Sequence, residues 1–283
     1  MRTSVITIVA GRGEHLRMQR RGLARARLHR HVVVVMGPDA AVADALAATP
    51  LSTITTQVDV PGAGLPLAAA RNAGAELALA DGAELLVFLD VDCIPVRELV
   101  ARYVRAARLV GEPAVLAGPV AYLPPPSPPG YQLSTLAELA KAHPVRPVPP
   151  DGAVVAEPLM ELFWSLSFAM TASSWLAVGG FHTGYAGYGA EDTDFAMLAA
   201  AAGAGLHWVG GATAYHQHHG PSGPTTANAP SIVRNAKLFH RRHGWWPMRG
   251  WLRQLAADGA VEFDQQTGVL ELVAGHSACL RSG

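Results

Sequence analysis

A mostly parallel α/β sheet covered by helices on both faces is the fold the sequence predicts, from three observations. Apolar runs SVITIVA (4–10), HVVVVMG (31–37), STITTQVDV (52–60) and ELLVFLDV (84–91) alternate with helical stretches at 14–29, 39–48 and 66–80. Uninterrupted apolar strands imply burial on both faces, the condition of a parallel sheet. Three strand ends carry polar or glycine-bearing sequence, AGRG (10–13), GPD (37–39) and DVD (90–92), where open parallel sheets bind ligands. Half of the 283 residues are hydrophobic and 16% are charged, enough for a sizeable core and too apolar for a disordered chain.

The later elements follow in order. A helix is expected to start near Pro95, and a strand at 114–118. The proline-rich stretches YLPPPSPPGY (122–131) and HPVRPVPPDG (143–152), with a short helical piece at 132–142, read as a long surface excursion, either a binding loop or a passive insertion. Residues 162–181 read as a strand and a short helix, 182–203 as a Gly/Tyr loop opening an Ala-rich helix, and 206–219 as one strand. A helix at 230–243, GWWP (244–247), and a last helix with a hairpin-like stretch complete the chain. Trp175 and Trp208 are expected in the core, and Trp245 and Trp246 are expected to pin the tail.

Composition excludes several classes. The formal net charge is zero, against the basic excess of nucleic-acid binders. No window approaches the roughly 20 apolar residues of a membrane span, and Val5–Ala10 is too short for a signal-peptide core. Two cysteines, Cys93 and Cys279, imply no disulfide framework and a reducing compartment. A cytoplasmic protein is expected, at most peripheral to a membrane. Residues 1–31 hold eight arginines against the single acid Glu14. This reads either as a solvated helix face or as a surface for an anion, such as phosphates or a lipid surface.

Three clusters carry chemistry. On an extended DVD, Asp90 and Asp92 point to one side and Val91 to the other. Two such carboxylates repel unless a cation or proton is shared. Oxygen ligands suit Mg²⁺ or Mn²⁺, whose open positions accept diphosphate oxygens. The ordinary alternative is a helix cap and a turn aspartate before Pro95. In GYGAEDTDF, Glu191, Asp192 and Asp194 crowd a helix start, more acids than capping needs, beside Tyr185 and Tyr188, whose faces can stack on a sugar. One of these carboxylates is placed to be a general base. In YHQHHG, His216 and His218 share one side of an extended segment, and imidazole can join carboxylates around Mn²⁺.

Together FLDVDCIP, AARNAGAELA (69–78), GGFHTGYAGYGAEDTDF and AYHQHH resemble a family 2 glycosyltransferase of the GT-A fold, and the ED segment resembles the galactosyltransferase-type carboxy-terminal region. The likeness covers roughly residues 4–245. It implies a Rossmann-like, mostly parallel sheet flanked by helices with a helical C-terminal tail. Residues 1–220 would form the catalytic domain, with 1–120 the nucleotide-sugar half and 121–220 the acceptor half, including the proline-rich loop 122–152. Residues 221–283 would be an extension. The resemblance implies a nucleotide-sugar donor, UDP-linked before GDP-linked, a hydroxyl acceptor, and Mn²⁺ or Mg²⁺. It places the donor against Asp39, Arg71, Asp90, Val91 and Asp92, and the metal on Asp92 with His216 first and His218 second. Asp192 would be the catalytic base with Glu191 beside it on the acceptor, joined by Tyr188 and Trp164. The first strand ends AGRG, unlike the family, so the resemblance assigns no base contact to residues 9–12 and leaves that part of the donor site open. Two other readings compete: a nucleotidyltransferase, which would normally carry a lysine in a Gly-rich loop near the first strand, and a non-catalytic sugar- or nucleotide-binding module.

Overall fold

The computed structural model describes residues 1–62, 64–220 and 223–273; Cys279 lies outside them. From the N-terminus, β1 (Thr3–Val9), α1 (Gly13–Leu23), β2 (Arg30–Met36), α2 (Ala40–Ala47), β3 (Thr53–Val58), α3 (Leu67–Ala80) and β4 (Leu85–Leu89) keep the alternation read from sequence. Next come β5 (Cys93–Pro95), α4 (Leu99–Leu109), β6 (Ala114–Ala117), β7 (Val120–Tyr122), the single turn α5 (Leu136–Leu139), β8 (Lys141–Ala142) and β9 (Val154–Glu157). The rest is β10 (Ser167–Thr171), α6 (Ala172–Val178), α7 (Glu191–Ala201), β11 (Gly205–Val209), β12 (Ala214–His216), α8 (Ala229–His243), α9 (Arg249–Ala257) and the hairpin β13 (Val261–Asp264) with β14 (Val269–Leu272).

The main sheet has the order β3-β2-β1-β4-β10-β6-β11-β9. Strands β3, β2, β1 and β4 are mutually parallel, β10 runs against both β4 and β6, and β9 runs against β11. This is the expected mostly parallel GT-A sheet flanked by helices, with a tail of two helices and a hairpin. Strand alternation divides β4 between two cores. Leu86 and Phe88 join an aromatic cluster with Phe168, Trp175, Phe181 and Phe195, while Leu85, Val87 and Leu89 pack with Tyr103 of α4. Phe88 stacks on Phe168 at 4.4 Å, a pairing worth about 0.5–1.5 kcal/mol beyond the area it buries. Helix α3 lies so close to β1 that a Cβ on Gly74 would come within 2.5 Å of Ile6, so only glycine fits there.

Four local expectations shift. Helix α1 stops at Leu23, where Gly22 backs closely onto Ile94 and Pro95. Residues 93–95 pair with β12, so the following helix begins only at Leu99. The stretch 206–219 is two strands in different sheets, because Gly210 lies hard against the Pro149 and Pro150 carbonyls and Gly211 turns with φ of 80°. The arginine-rich segment is not one solvated face: Arg20 is 1% exposed and donates to the Leu46 and Thr49 carbonyls. Among the described residues no helix is long and apolar enough to cross a membrane.

Candidate active site

The ends of β1, β2 and β4 meet in one crevice. The Gly11 N–H donates to Asp39 Oδ2 (2.7 Å), while Asp39 Oδ1 accepts from Ala41 N–H (3.1 Å) as the cap of α2. Asp39 therefore braces the loop after β1 as well as starting a helix. Val91 turns into the cluster of Val9, Leu16, Val33 and Val42, so any ligand contact it makes falls to its backbone.

Asp92 is 6% exposed and sits among three basic side chains. Arg12 donates to its Oδ2, His219 Nε2 lies 3.4 Å from the same oxygen, and His216 Nε2 lies 3.5 Å from Oδ1. Burial pushes this carboxyl up, but the His219 hydrogen bond and the charges of His216 and Arg12 outweigh it and hold it at about 2. Burial also lowers the His216 pKa, favouring the neutral ring that metals bind. Asp92, His216 and His219 each offer one ligand atom, all within 4.8 Å of one another. This donor set fits a divalent ion. His219 joins the cluster where His218 was expected, because the extended segment ends at His216 and alternation ends with it. His218 is exposed, and its backbone N–H donates to the Tyr131 hydroxyl (3.0 Å).

Asp90 takes different partners from Asp92, because β4 ends at Leu89 and the strand alternation expected to put both carboxylates on one side ends with it. Its Oδ1 accepts from Arg71 Nη2 at 3.0 Å, and Arg71 Nη1 stands 3.8 Å from Glu191 Oε1. Only 4% exposed, Arg71 lies over the Phe181 ring at 5.3 Å and links the two carboxylate groups instead of facing open crevice. Its neighbour Asn72 grips the Phe181 backbone with both amide atoms (2.8 and 2.9 Å). Burial raises Asp90 to about 6, although Arg71 pulls it down. Burial and the charge of Asp192 raise Glu191 to about 8.

None of the acids at the start of α7 caps it. The cap position is Ala190, held at φ of 73°, a left-handed conformation that costs a non-glycine residue on the order of 1–3 kcal/mol. Asp192 Oδ2 accepts from Ser165 N–H (3.1 Å), and its Oδ1 is buried without a hydrogen-bond partner among the described residues. Asp194 is structural: fully buried, it accepts from Tyr185 (3.0 Å) and Arg242 (2.7 Å) and pairs with His243 (2.7 Å), tying α8 to α7.

Around Asp192, Tyr188 stacks on Trp251 (5.2 Å, 3° between planes), and burial with the Glu191 and Asp192 charges raises its hydroxyl pKa. Arg146, from the proline-rich excursion, lies 3.6 Å over Trp164 and 5.3 Å from Trp208, donating to the Leu162 carbonyl (2.7 Å). The sequence reading missed Arg12, Arg146 and His219. AGRG at a strand end was the available signal for Arg12; Arg146, in a run of prolines, had none.

No family model and no curated protein matches this sequence. Solved structures share the fold. S. aureus TarS 1–349 is 15% identical with a TM-score of 0.52, over 85% of this chain and 66% of that one. GalNAc-T7, crystallised with UDP, GalNAc and Mn²⁺, is 12% identical with a TM-score of 0.57, over 90% of this chain and 57% of that one. The chain thus spans just under two thirds of the one and just over half of the other.

Proposed function

We propose that this chain is a metal-dependent, inverting glycosyltransferase that moves a sugar, taken as a hexose, from a nucleoside-diphosphate sugar to an acceptor hydroxyl. One observation carries the reading: Arg71 bridges two carboxylate groups at strand and helix ends, Asp90 beside the Asp92–His216–His219 cluster and Glu191 beside Asp192. UDP is the donor nucleotide favoured, in keeping with the UDP and Mn²⁺ held by the GalNAc-T7 structure of like fold.

Residues 1–120 would bind the donor, with Asp39 toward the base and Asp90 toward the ribose or sugar. Residues 121–220 would bind the acceptor, and 221–283 would brace it. A divalent ion on Asp92, His216 and His219 would supply neutralisation of charge on the departing diphosphate. A carboxylate with two imidazoles favours Mn²⁺ over Mg²⁺, which prefers oxygen. Asp192 would take the proton of the acceptor hydroxyl through the unpartnered Oδ1 as that oxygen attacks the anomeric carbon from the face opposite the diphosphate. Glu191, Tyr188 and Trp164 would orient the acceptor and exclude water.

Thermal melting with a panel of nucleoside diphosphates, with and without Mn²⁺, tests the donor half. Ligand at about 100 times its Kd stabilises by about 2.7 kcal/mol, several degrees for a chain of this size. The expected result is a shift with one nucleotide that requires Mn²⁺ and vanishes in Asp92→Ala; no shift with any nucleotide would remove the donor reading. With a substrate pair, release of a nucleoside diphosphate separates this reaction from nucleotidyl transfer, which releases pyrophosphate.

The tail has a measurable part. Trp251→Ala removes the ring on which Tyr188 stacks, a contact worth about 0.5–1.5 kcal/mol, so acceptor KM should rise about 2- to 10-fold. The nucleotide-dependent melting shift should stay unchanged. An equal loss of donor binding would place the effect in overall stability instead.

A further inference from the structure

We propose that Arg12 is a built-in countercation of the Asp92 cluster: it competes with a divalent ion for one carboxylate oxygen, and the arriving ion releases it toward the donor's diphosphate. This rests on the donor reading above and adds a role for a residue that reading leaves unused.

The geometry supplies the competition. Arg12 donates to Asp92 Oδ2, the oxygen that also faces His219. A buried carboxylate needs a positive partner, and among the described residues the guanidinium of Arg12 has no polar partner besides Asp92. A divalent ion and a guanidinium on the same oxygen would repel each other in a site of low dielectric. A diphosphate, with several anionic oxygens, can accept both.

Arg12 is also free to leave. Its side chain is 36% exposed against 9% for Asp92, so the cation sits on the solvent side of the carboxylate. Gly11 before it holds φ of 64° with open space around a built Cβ. The Gly11 N–H to Asp39 bond keeps the loop at the crevice while the side chain swings. Arg12 occupies the cap position of α1 but caps it with no side-chain hydrogen bond, so replacing it leaves the helix start intact.

Two consequences follow. Without nucleotide, Arg12 weakens ion binding; with nucleotide, the released guanidinium gains diphosphate contacts, so ion and nucleotide strengthen each other reciprocally.

The test is Mn²⁺ binding to the full chain, followed by calorimetry and by the electron paramagnetic resonance of free Mn²⁺. Wild type, Arg12→Gln, Arg12→Lys and Asp92→Asn are compared with and without UDP, after melting curves confirm folding. Arg12→Gln should bind Mn²⁺ alone about 5-fold tighter or more and lose most of the UDP-linked gain, a coupling of ordinary allosteric size. Arg12→Lys should stay near wild type. If Arg12→Gln binds Mn²⁺ no tighter than wild type while Asp92→Asn abolishes binding, the metal site stands and the competition is refuted. If no variant binds Mn²⁺ with or without UDP, the metal reading falls and the proposal falls with it.

Discussion

Asp192→Asn is expected to lower kcat by about 10²- to 10⁴-fold, the usual contribution of a positioned general base. Its nucleotide- and Mn²⁺-dependent melting shift should persist. Asparagine has the shape of aspartate, and its side-chain oxygen can still accept from Ser165 N–H, which Asp192 Oδ2 now does at 3.1 Å. The loss is the capacity of Oδ1 to take a proton. That oxygen is buried with no hydrogen-bond partner among the described residues, an expensive state for a carboxylate that an acceptor hydroxyl would relieve. The neighbouring Glu191 is a poor rival for the base, because burial and the Asp192 charge lift its pKa to about 8 and leave it largely protonated at neutral pH. An Asp192→Asn enzyme within about 2-fold of wild type in kcat, far short of a general base's usual contribution, would remove Asp192 from the chemistry.

Much of this arrangement was legible in sequence because it depends on local patterns. Apolar runs ending in AGRG, GPD and DVD put three strand ends in one crevice, and the Gly11–Asp39 and Arg12–Asp92 contacts join them there. The crowd of acids at 191–194 signalled more than a cap, and no cap is formed. Illegible were the features set by long-range packing. His219 replaces His218 at Asp92 because β12 ends at His216, a limit imposed by its pairing with β5 and β7. Arg71 looked like a nucleotide contact, yet the depth of α3, permitted by Gly74, buries it among carboxylates. Asp194 matched its neighbours in composition and lies in a different network, because its partners Arg242 and His243 come from a helix some 48 residues later.

Arg71→Met should be the substitution in the site with the largest effect on stability, and its pH dependence identifies the cause. Removing one partner of a buried ion pair costs about 3–5 kcal/mol, so at neutral pH the melting temperature should fall by on the order of 10 °C. Methionine keeps most of the side-chain volume over Phe181, so the change isolates the charge. Asp90 and Glu191 already hold protons in the folded state at about 6 and about 8, above the values near 4 of unfolded carboxyls. Between pH 4 and 8 the native state therefore binds more protons than the unfolded state, and this pair contributes stability that declines as pH rises. Without Arg71 the folded pKa values rise further and the decline steepens. The gap between wild type and Arg71→Met should consequently be small near pH 5, where the carboxyls are largely neutral, and widest above pH 8. Melting curves without metal across that range read the gap directly. A deficit constant with pH would assign Arg71 to packing against Phe181, and the electrostatic link between the two halves of the site would be lost.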